Sequence, residues 1–200
     1  MYGESFTLER AYNAVHQLPM FSFVQMPDGL IKPLDGANPF RSDKIDLFPG
    51  SFNPIHDAHK AIFDQVSGTA YEISIERVNK SALSVLDLKV RLSQFLGYAP
   101  IVVLKHPLFI HKVGALYPLD ITFHVGIDTA SRIIECSHAV EIQGMRADFV
   151  VYDRIIDGRR HSLNDLPHPR PANFRKGQDL SEDLMKISST AIRTGQSRSL

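Results

Sequence analysis

The sequence predicts an α/β fold: a doubly wound parallel sheet with helices on both faces. Three observations predict it. Short apolar, β-prone runs recur at 45–48, 71–78, 101–104, 121–125 and 149–152. Stripes at helical spacing lie between several of them: Ile55, Ala58, Ile62, Phe63 and Val66 form one, and Leu88, Leu92, Phe95 and Leu96 another. Strands alternating with helices need crossover connections, which imply parallel pairing and a sheet covered on both sides.

The elements follow in order. Residues 4–17 read as a short helix, with Leu8, Ala11, Val15 and Leu18 near helical spacing. Residues 21–26 read as a strand closed by the turn Pro27-Asp28-Gly29. Residues 35–43, with Gly36, Asn38, Pro39 and Ser42, read as a connector. The main domain is therefore expected over 44–200, with 1–43 as an N-terminal extension. Ser84 and Asp87 form a capping-box pattern ahead of the stripe that starts at Leu88. Residues 128–136 read as a further helix.

Composition narrows the function classes. The chain has 200 residues, 44% of them hydrophobic, and its 22 basic side chains balance 22 acidic ones. This is an ordinary globular composition, long enough to bury a sizeable core. Zero net charge argues against a nucleic-acid coat or a polybasic membrane binder. No apolar run approaches the length of a membrane span, and the acidic start, with Glu4 and Glu9, does not read as a secretory signal. The single cysteine, Cys136, excludes an intrachain disulfide or a multi-cysteine metal site, so a reducing cytoplasm is the expected location.

In parallel sheets ligands bind beyond the carboxyl ends of the strands, so motifs are sought there. After the strand at 45–48 stands Gly50-Ser51-Phe52-Asn53-Pro54-Ile55-His56-Asp57-Ala58-His59. Gly50 and Ser51 permit a sharp turn and close approach of a ligand to the backbone. Asn53 is expected to cap the next helix, with Pro54 in its first turn. His56 and His59, three apart, would share a face at that helix N-terminus, where N–H groups suit a phosphate. From spacing alone they could also be surface residues or half of a zinc site, the last being the weaker reading because neither a third ligand nor a general-base glutamate stands nearby.

Near the chain end comes Ile187-Ser188-Ser189-Thr190-Ala191-Ile192-Arg193. A serine cap, further hydroxyls, open N–H groups and a guanidinium would converge there, a set that fits a polyphosphate. Plain capping with a solvated arginine is the other reading. Between the two motifs, the strand at 121–125 ends in Gly126-Ile127-Asp128, where Asp128 could be a ligand contact or an N-cap.

Together these motifs resemble the HxGH nucleotidyltransferase superfamily, and within it the nicotinamide or nicotinate mononucleotide adenylyltransferases. Residues 50–59 look like the HxGH loop, Gly126 to Asp128 like the GxD motif, and Ile187 to Arg193 like ISSTxIR. One position departs: Ala58 stands where the family usually has glycine, next to the place where the family packs the ATP base. The resemblance covers roughly residues 44–195. It implies a Rossmann-like fold and catalytic roles for His56, His59 and Arg193. It also implies nucleotide contacts from Gly50, Ser51, Phe52, Gly126, Asp128, Ile187, Ser188, Ser189 and Thr190.

The implied reaction joins AMP from ATP, accompanied by Mg2+, to nicotinamide or nicotinate mononucleotide, with release of pyrophosphate, as in NAD biosynthesis or salvage. Another phosphorylated acceptor, such as phosphopantetheine or a sugar or polyol phosphate, is the alternative, as is a nucleotide-binding regulator without chemistry. The expected partners are ATP and a phosphorylated small molecule. Neither nucleic acid, membrane nor a protein-held metal is expected, and a homo-oligomer is compatible. On the acceptor side, Asn79 and Lys80 follow the second strand of the main domain, and His106 and Phe109 follow another; the other reading of Lys80 is a surface lysine, and of Phe109 a core side chain. The lack of tryptophan removes the ring on which some relatives stack nicotinamide. Residues 158–176 carry Arg159, Arg160, Arg170, Arg175 and Lys176 against Asp165 and lack periodicity, so they read as a solvated loop, with a basic lid as the alternative.

Overall fold

The computed structural model describes residues 6–18, 20–34, 39–40, 42–78, 81–136, 139–167 and 170–195. In chain order the elements are α1 (Leu8–Gln17), β1 (Phe23–Gln25), β2 (Ile31–Pro33), β3 (Lys44–Pro49), α2 (Asp57–Gln65), β4 (Ala70–Ser74) and α3 (Val85–Ser93). Then follow β5 (Ile101–Leu104), α4 (Phe109–Ala115), β6 (Asp120–Gly126), α5 (Ile127–Cys136), α6 (Ala139–Gly144) and β7 (Ala147–Tyr152). The chain closes with β8 (Arg154–Ile156), β9 (Arg159–His161), a 3-10 turn (Leu163–Asp165), β10 (Phe174–Lys176), α7 (Glu182–Lys186) and α8 (Ser189–Arg193).

The fold is α/β around an eight-stranded sheet in the order β10-β7-β6-β3-β4-β5-β1-β2, with β8 and β9 forming a separate hairpin. Every pairing from β10 to β5 is parallel. Two antiparallel strands, β1 and β2, extend the sheet beyond β5. From β3 the chain winds outward through β4 to β5, then crosses back to β6 on the other side of β3 and winds outward again. This is the doubly wound arrangement, and its reversal lies between β3 and β6.

Alternation along the strands divides the core between the two faces. Phe23, Tyr71, Ile73, Ile101 and Val103 face one way, and Ala11 and Val15 of α1, Ile62 and Phe63 of α2, and Leu88 and Leu92 of α3 cover them. Ile45, Leu47, Val102, Leu104 and Phe123 face the other way, under Val113 of α4 and Ala130 and Ile133 of α5. Burying one such side chain stabilises the fold by roughly 1.5–3 kcal/mol. At the start of α3 the Ser84 hydroxyl accepts from Asp87 N at 3.1 Å and donates to the Asp87 carboxylate at 2.8 Å. The serine therefore caps, while the acid returns to the serine hydroxyl.

Several expectations change. The first 43 residues do not stand apart from the main domain: β1 continues the central sheet and α1 fills one face of its core. A hairpin partner, β2, follows the turn at 27–29 and was not expected. The strand expected over 71–78 runs instead over Ala70–Ser74, in register with β5 from Tyr71 to Ser74. The 158–176 segment is not a loop throughout. It holds β9 and β10, and β10 pairs in parallel with β7, where Phe149 N donates to Asn173 O and Gly177 N to Val151 O, while the Phe174 ring packs on Phe149. Part of the connector at 35–43 lies outside the described residues.

Phe23→Ala tests the place of the first strand. Phe23 is fully buried, so its truncation is expected to cost about 3–5 kcal/mol in urea unfolding. A loosely appended segment would leave the unfolding midpoint unchanged.

Candidate functional site

The loop after β3 is set by what packs beneath it. Phe52 is 1% exposed, and its ring meets Tyr71, Phe95 and His59 edge-on. That ring lies so close to Gly50 that an added Cβ would stand 2.6 Å from it, so only glycine fits. Phe52 itself takes φ +42°, which turns the chain back over the strand end.

Side chains from two helices then hold four successive carbonyls of this loop. Arg91 Nη1 donates to Ser51 O at 2.5 Å, and Gln94 Nε2 donates to Phe52 O at 2.9 Å. Arg193 Nη1 donates to Asn53 O, and the Ser189 hydroxyl donates to Pro54 O at 2.7 Å. Gln94 Oε1 also accepts from Ile55 N at 2.9 Å. The loop is thereby clamped between α3 and α8.

Helix α2 starts later than expected. Its cap residue is His56 rather than Asn53, and Pro54 lies outside the first turn because Asn53 and Pro54 belong to the clamped loop. The His56 ring makes no capping bond, so it is free to face the cavity. His59, one turn on, stacks on it with ring centroids 3.7 Å apart. Nδ1 of both rings is buried without a hydrogen-bond partner.

These groups line a cavity of about 450 Å3. It lies at the carboxyl ends of β3 and β6, at the reversal of the sheet, where α/β folds bind ligands. The volume is in the usual range for a small-molecule site. Gly50, Ser51, Phe52, His56, His59, Gly126, Asp128, Ile187, Ser188, Ser189, Thr190 and Arg193 all border it, so the three sequence motifs converge. Ala58 also borders it, nearly buried, so its methyl group narrows the wall where glycine would leave space. At Gly126 an added Cβ would stand 2.8 Å from the Asp128 carboxylate, so a larger residue there would have to displace the Asp128 side chain. Ser188 caps α8 by accepting from Ala191 N at 3.1 Å, and Arg193 Nη2 donates to Thr190 Oγ1 at 3.1 Å.

The acceptor-side expectations fare differently. Phe109 does not face the cavity: it packs edge-on to Phe123 and Phe149 on the opposite face of the sheet. His106 is held away by Glu76, with Nδ1 2.9 Å from its carboxylate. Asn79 and Lys80 lie outside the described residues.

Other lining groups were not singled out from the sequence. Arg154 Nη1 donates to Asp128 Oδ1 at 3.1 Å, and its Nη2 to Ile187 O at 3.2 Å. It thus bridges two of the motifs. His124 stacks on Phe48 at 4.4 Å, and its ring nitrogens lie 2.9 Å from the Tyr152 hydroxyl and 2.7 Å from Asp46 Oδ1. Asp153 and Arg154 follow directly after a strand, so the rule that located the other motifs also points to them. Gln94 carried no comparable signal, because its role depends on how α3 packs against the loop.

The cavity is cationic, yet His56 and His59 are neutral at pH 7. Burial first, then the Arg154 charge, lowers the pKa of His56 from the usual 6.5 to about 4, against a smaller opposing effect of Asp57. Burial, then His56 and Arg154, lower that of His59 to about 3. A polyanion entering here would oppose these effects and raise both values. Among the described residues no group of three or more His, Cys, Asp or Glu side chains converges to hold a metal ion.

Two outcomes are expected. Unfolded histidines titrate near 6.5 and the folded pair near 4 and 3, so between these values the unfolded chain binds more protons. The pair's contribution to stability is therefore complete above about pH 7 and falls as pH drops towards 4. Urea unfolding at pH 7 and pH 5 measures this slope, and a His56→Asn/His59→Asn double variant is expected to flatten it. Separately, Gln94→Ala frees one loop carbonyl and one loop N–H, and is expected to lower stability by about 1–3 kcal/mol in urea unfolding at pH 7, with the far-ultraviolet circular dichroism unchanged.

A scan of protein-family models with this chain finds no match, and neither does a search of curated proteins.

Proposed function

We propose that this chain is an ATP-dependent adenylyltransferase that transfers AMP to nicotinamide or nicotinate mononucleotide with release of pyrophosphate. One observation carries the reading. The stacked pair His56 and His59, the hydroxyls of Ser188 to Thr190, and the guanidiniums of Arg154 and Arg193 all border one cavity at the reversal of a parallel sheet. This is a donor set suited to a polyphosphate.

The attacking group is a phosphate oxygen of the acceptor, which is ionised at neutral pH, so no general base is required. It attacks the α-phosphorus of ATP; the bond from that phosphorus to the bridging oxygen breaks, and the electron pair leaves with pyrophosphate. The protein contributes position and charge stabilisation. His56 and His59 donate hydrogen bonds to phosphate oxygens as charge shifts towards the leaving group. Arg193 and the Ser188 to Thr190 hydroxyls hold the β- and γ-phosphates. Arg154 adds a second guanidinium beside the histidines. Mg2+ enters with ATP as part of the substrate, carried by phosphate and water.

A second acceptor class is kept open by a specific observation: Phe109 and His106, expected on the acceptor side, do not border the cavity. An adjoining cavity of about 310 Å3 shares Asp128 and Arg132 with the first and has room for the acceptor. Its Glu135, His161 and Asp165 suit hydroxyl-bearing or amide-bearing groups, which nicotinamide mononucleotide and a polyol phosphate both carry.

The test is pyrophosphate release from ATP with nicotinamide mononucleotide, nicotinate mononucleotide or phosphopantetheine, with the product mass identifying the acceptor. His59→Ala is expected to lower turnover roughly 10²–10³-fold, the loss typical of one transition-state contact worth about 2.7–4 kcal/mol, while the fold survives. Wild-type turnover in that variant would remove His59 from the mechanism. Nucleotide binding without pyrophosphate release from any acceptor would favour a binding protein.

A further inference from the structure

The two cavities meet at α5, because Asp128 and Arg132 border both of them. These residues are four apart on the helix, the spacing at which an acid and an arginine ordinarily pair. Here they do not. The Asp128 carboxylate accepts from Arg154 Nη1 at 3.1 Å. Glu135, the other acid within one turn, accepts from the Ser131 hydroxyl at 2.9 Å. Arg132 is exposed, and among the described residues no protein group pairs or hydrogen-bonds with its side chain. The other two guanidiniums that border the first cavity are engaged. Arg154 also donates to Ile187 O, and Arg193 donates to Asn53 O and Thr190 Oγ1.

The second cavity gives this arginine a direction. Among the described residues Arg132 is the only lysine or arginine that borders it, while Asp128, Glu135 and Asp165 border it too. A phosphate entering there is repelled by carboxylates and attracted to the guanidinium, so it settles at Arg132, where the first cavity begins. Uncharged hydroxyl or amide groups of the same molecule are compatible with the acidic wall. An arginine fork takes two phosphate oxygens at once, which fixes the group in orientation as well as place. A cation at this point also offsets the repulsion between an incoming phosphate and a bound polyphosphate.

We propose that Arg132 binds the phosphate of the acceptor: its guanidinium holds a phosphate monoester where the two cavities meet, with the uncharged remainder of the acceptor in the second cavity. The attacking oxygen is thereby turned towards the first cavity. The inference rests on the proposed transferase reading and adds the residue that places and orients the second substrate.

The experiment compares three phosphorylated compounds with their phosphate-free counterparts: nicotinamide mononucleotide with its riboside, nicotinate mononucleotide with its riboside, and phosphopantetheine with pantetheine. Affinities are measured by calorimetry with Mg2+ and α,β-methylene ATP present, for wild type, Arg132→Gln and Arg132→Lys. For at least one pair, wild type is expected to bind the phosphorylated member about tenfold or more tightly than its counterpart. Arg132→Gln is expected to bring that ratio near one and Arg132→Lys to keep part of it, with the affinity for the ATP analogue changed less than about threefold. General damage to the fold weakens both members of a pair together and leaves the ratio in place. An unchanged ratio in Arg132→Gln, or an equal loss of the ATP analogue, overturns the inference and leaves the transferase reading standing. Failure of wild type to bind any of the three phosphorylated compounds also overturns it. Phosphate-dependent binding through Arg132 without pyrophosphate release from ATP overturns the transferase reading and leaves the phosphate site in place.

Discussion

The site depends on the grip on the loop after β3. Four successive carbonyls, from Ser51 to Pro54, are held by Arg91, Gln94, Arg193 and Ser189. Three of these four bonds are partly buried, where a carbonyl without a partner is costly, so the donors help fix the turn. Once held outward, it leaves the start of α2 facing the cavity. Arg193 fastens the loop that carries the histidines, and under the proposed reaction the same guanidinium would also hold phosphate. Its planar fork makes this possible: one nitrogen reaches Asn53 O while the other reaches Thr190.

Burial beneath this loop also governs the electrostatics. Phe52 fills the core directly under it, and the two histidines stack above, shielded from water and close to Arg154. Desolvation penalises the imidazolium, so both rings are neutral although the surrounding charge is positive. Neutral rings avoid repelling each other at 3.7 Å, and each still carries one N–H to donate. The ordinary charge balance of the whole chain conceals a strongly polarised local site. Zero net charge and a locally cationic cavity are compatible because electrostatics act over short, partly desolvated distances.

The sheet links these local features. Parallel winding puts the ends of β3 and β6 side by side, so Gly50 and Gly126 open onto one crevice. At both positions a methyl group would strike a neighbour, the Phe52 ring in one case and the Asp128 carboxylate in the other. Arg154 fastens the far side of the crevice by joining Asp128 to Ile187. The β8-β9 hairpin that begins with Arg154 is tied back through Arg160 to Asp153.

Much of this was legible in the sequence for a local reason. Strand and helix periodicity follow from side-chain direction along the backbone, so the doubly wound class, β5, β6, β7 and α5 could be read directly. The motif residues at 50–59, 126–128 and 187–193 could be read because turns, caps and strand ends have short-range requirements. What tertiary structure decided depends on partners distant in the chain. The strand at Phe23–Gln25 joins the sheet through β5, across a separation that no local pattern reveals. Phe109 could be read either as a base-stacking ring or as a core side chain, and Phe123 and Phe149 decide for the core. Gln94 and Arg91 gain their roles only when α3 docks on the loop. By itself the sequence determined the fold class and the elements of the site. The packing decided which side chains meet, because hydrogen bonds and burial are settled between surfaces rather than along the chain.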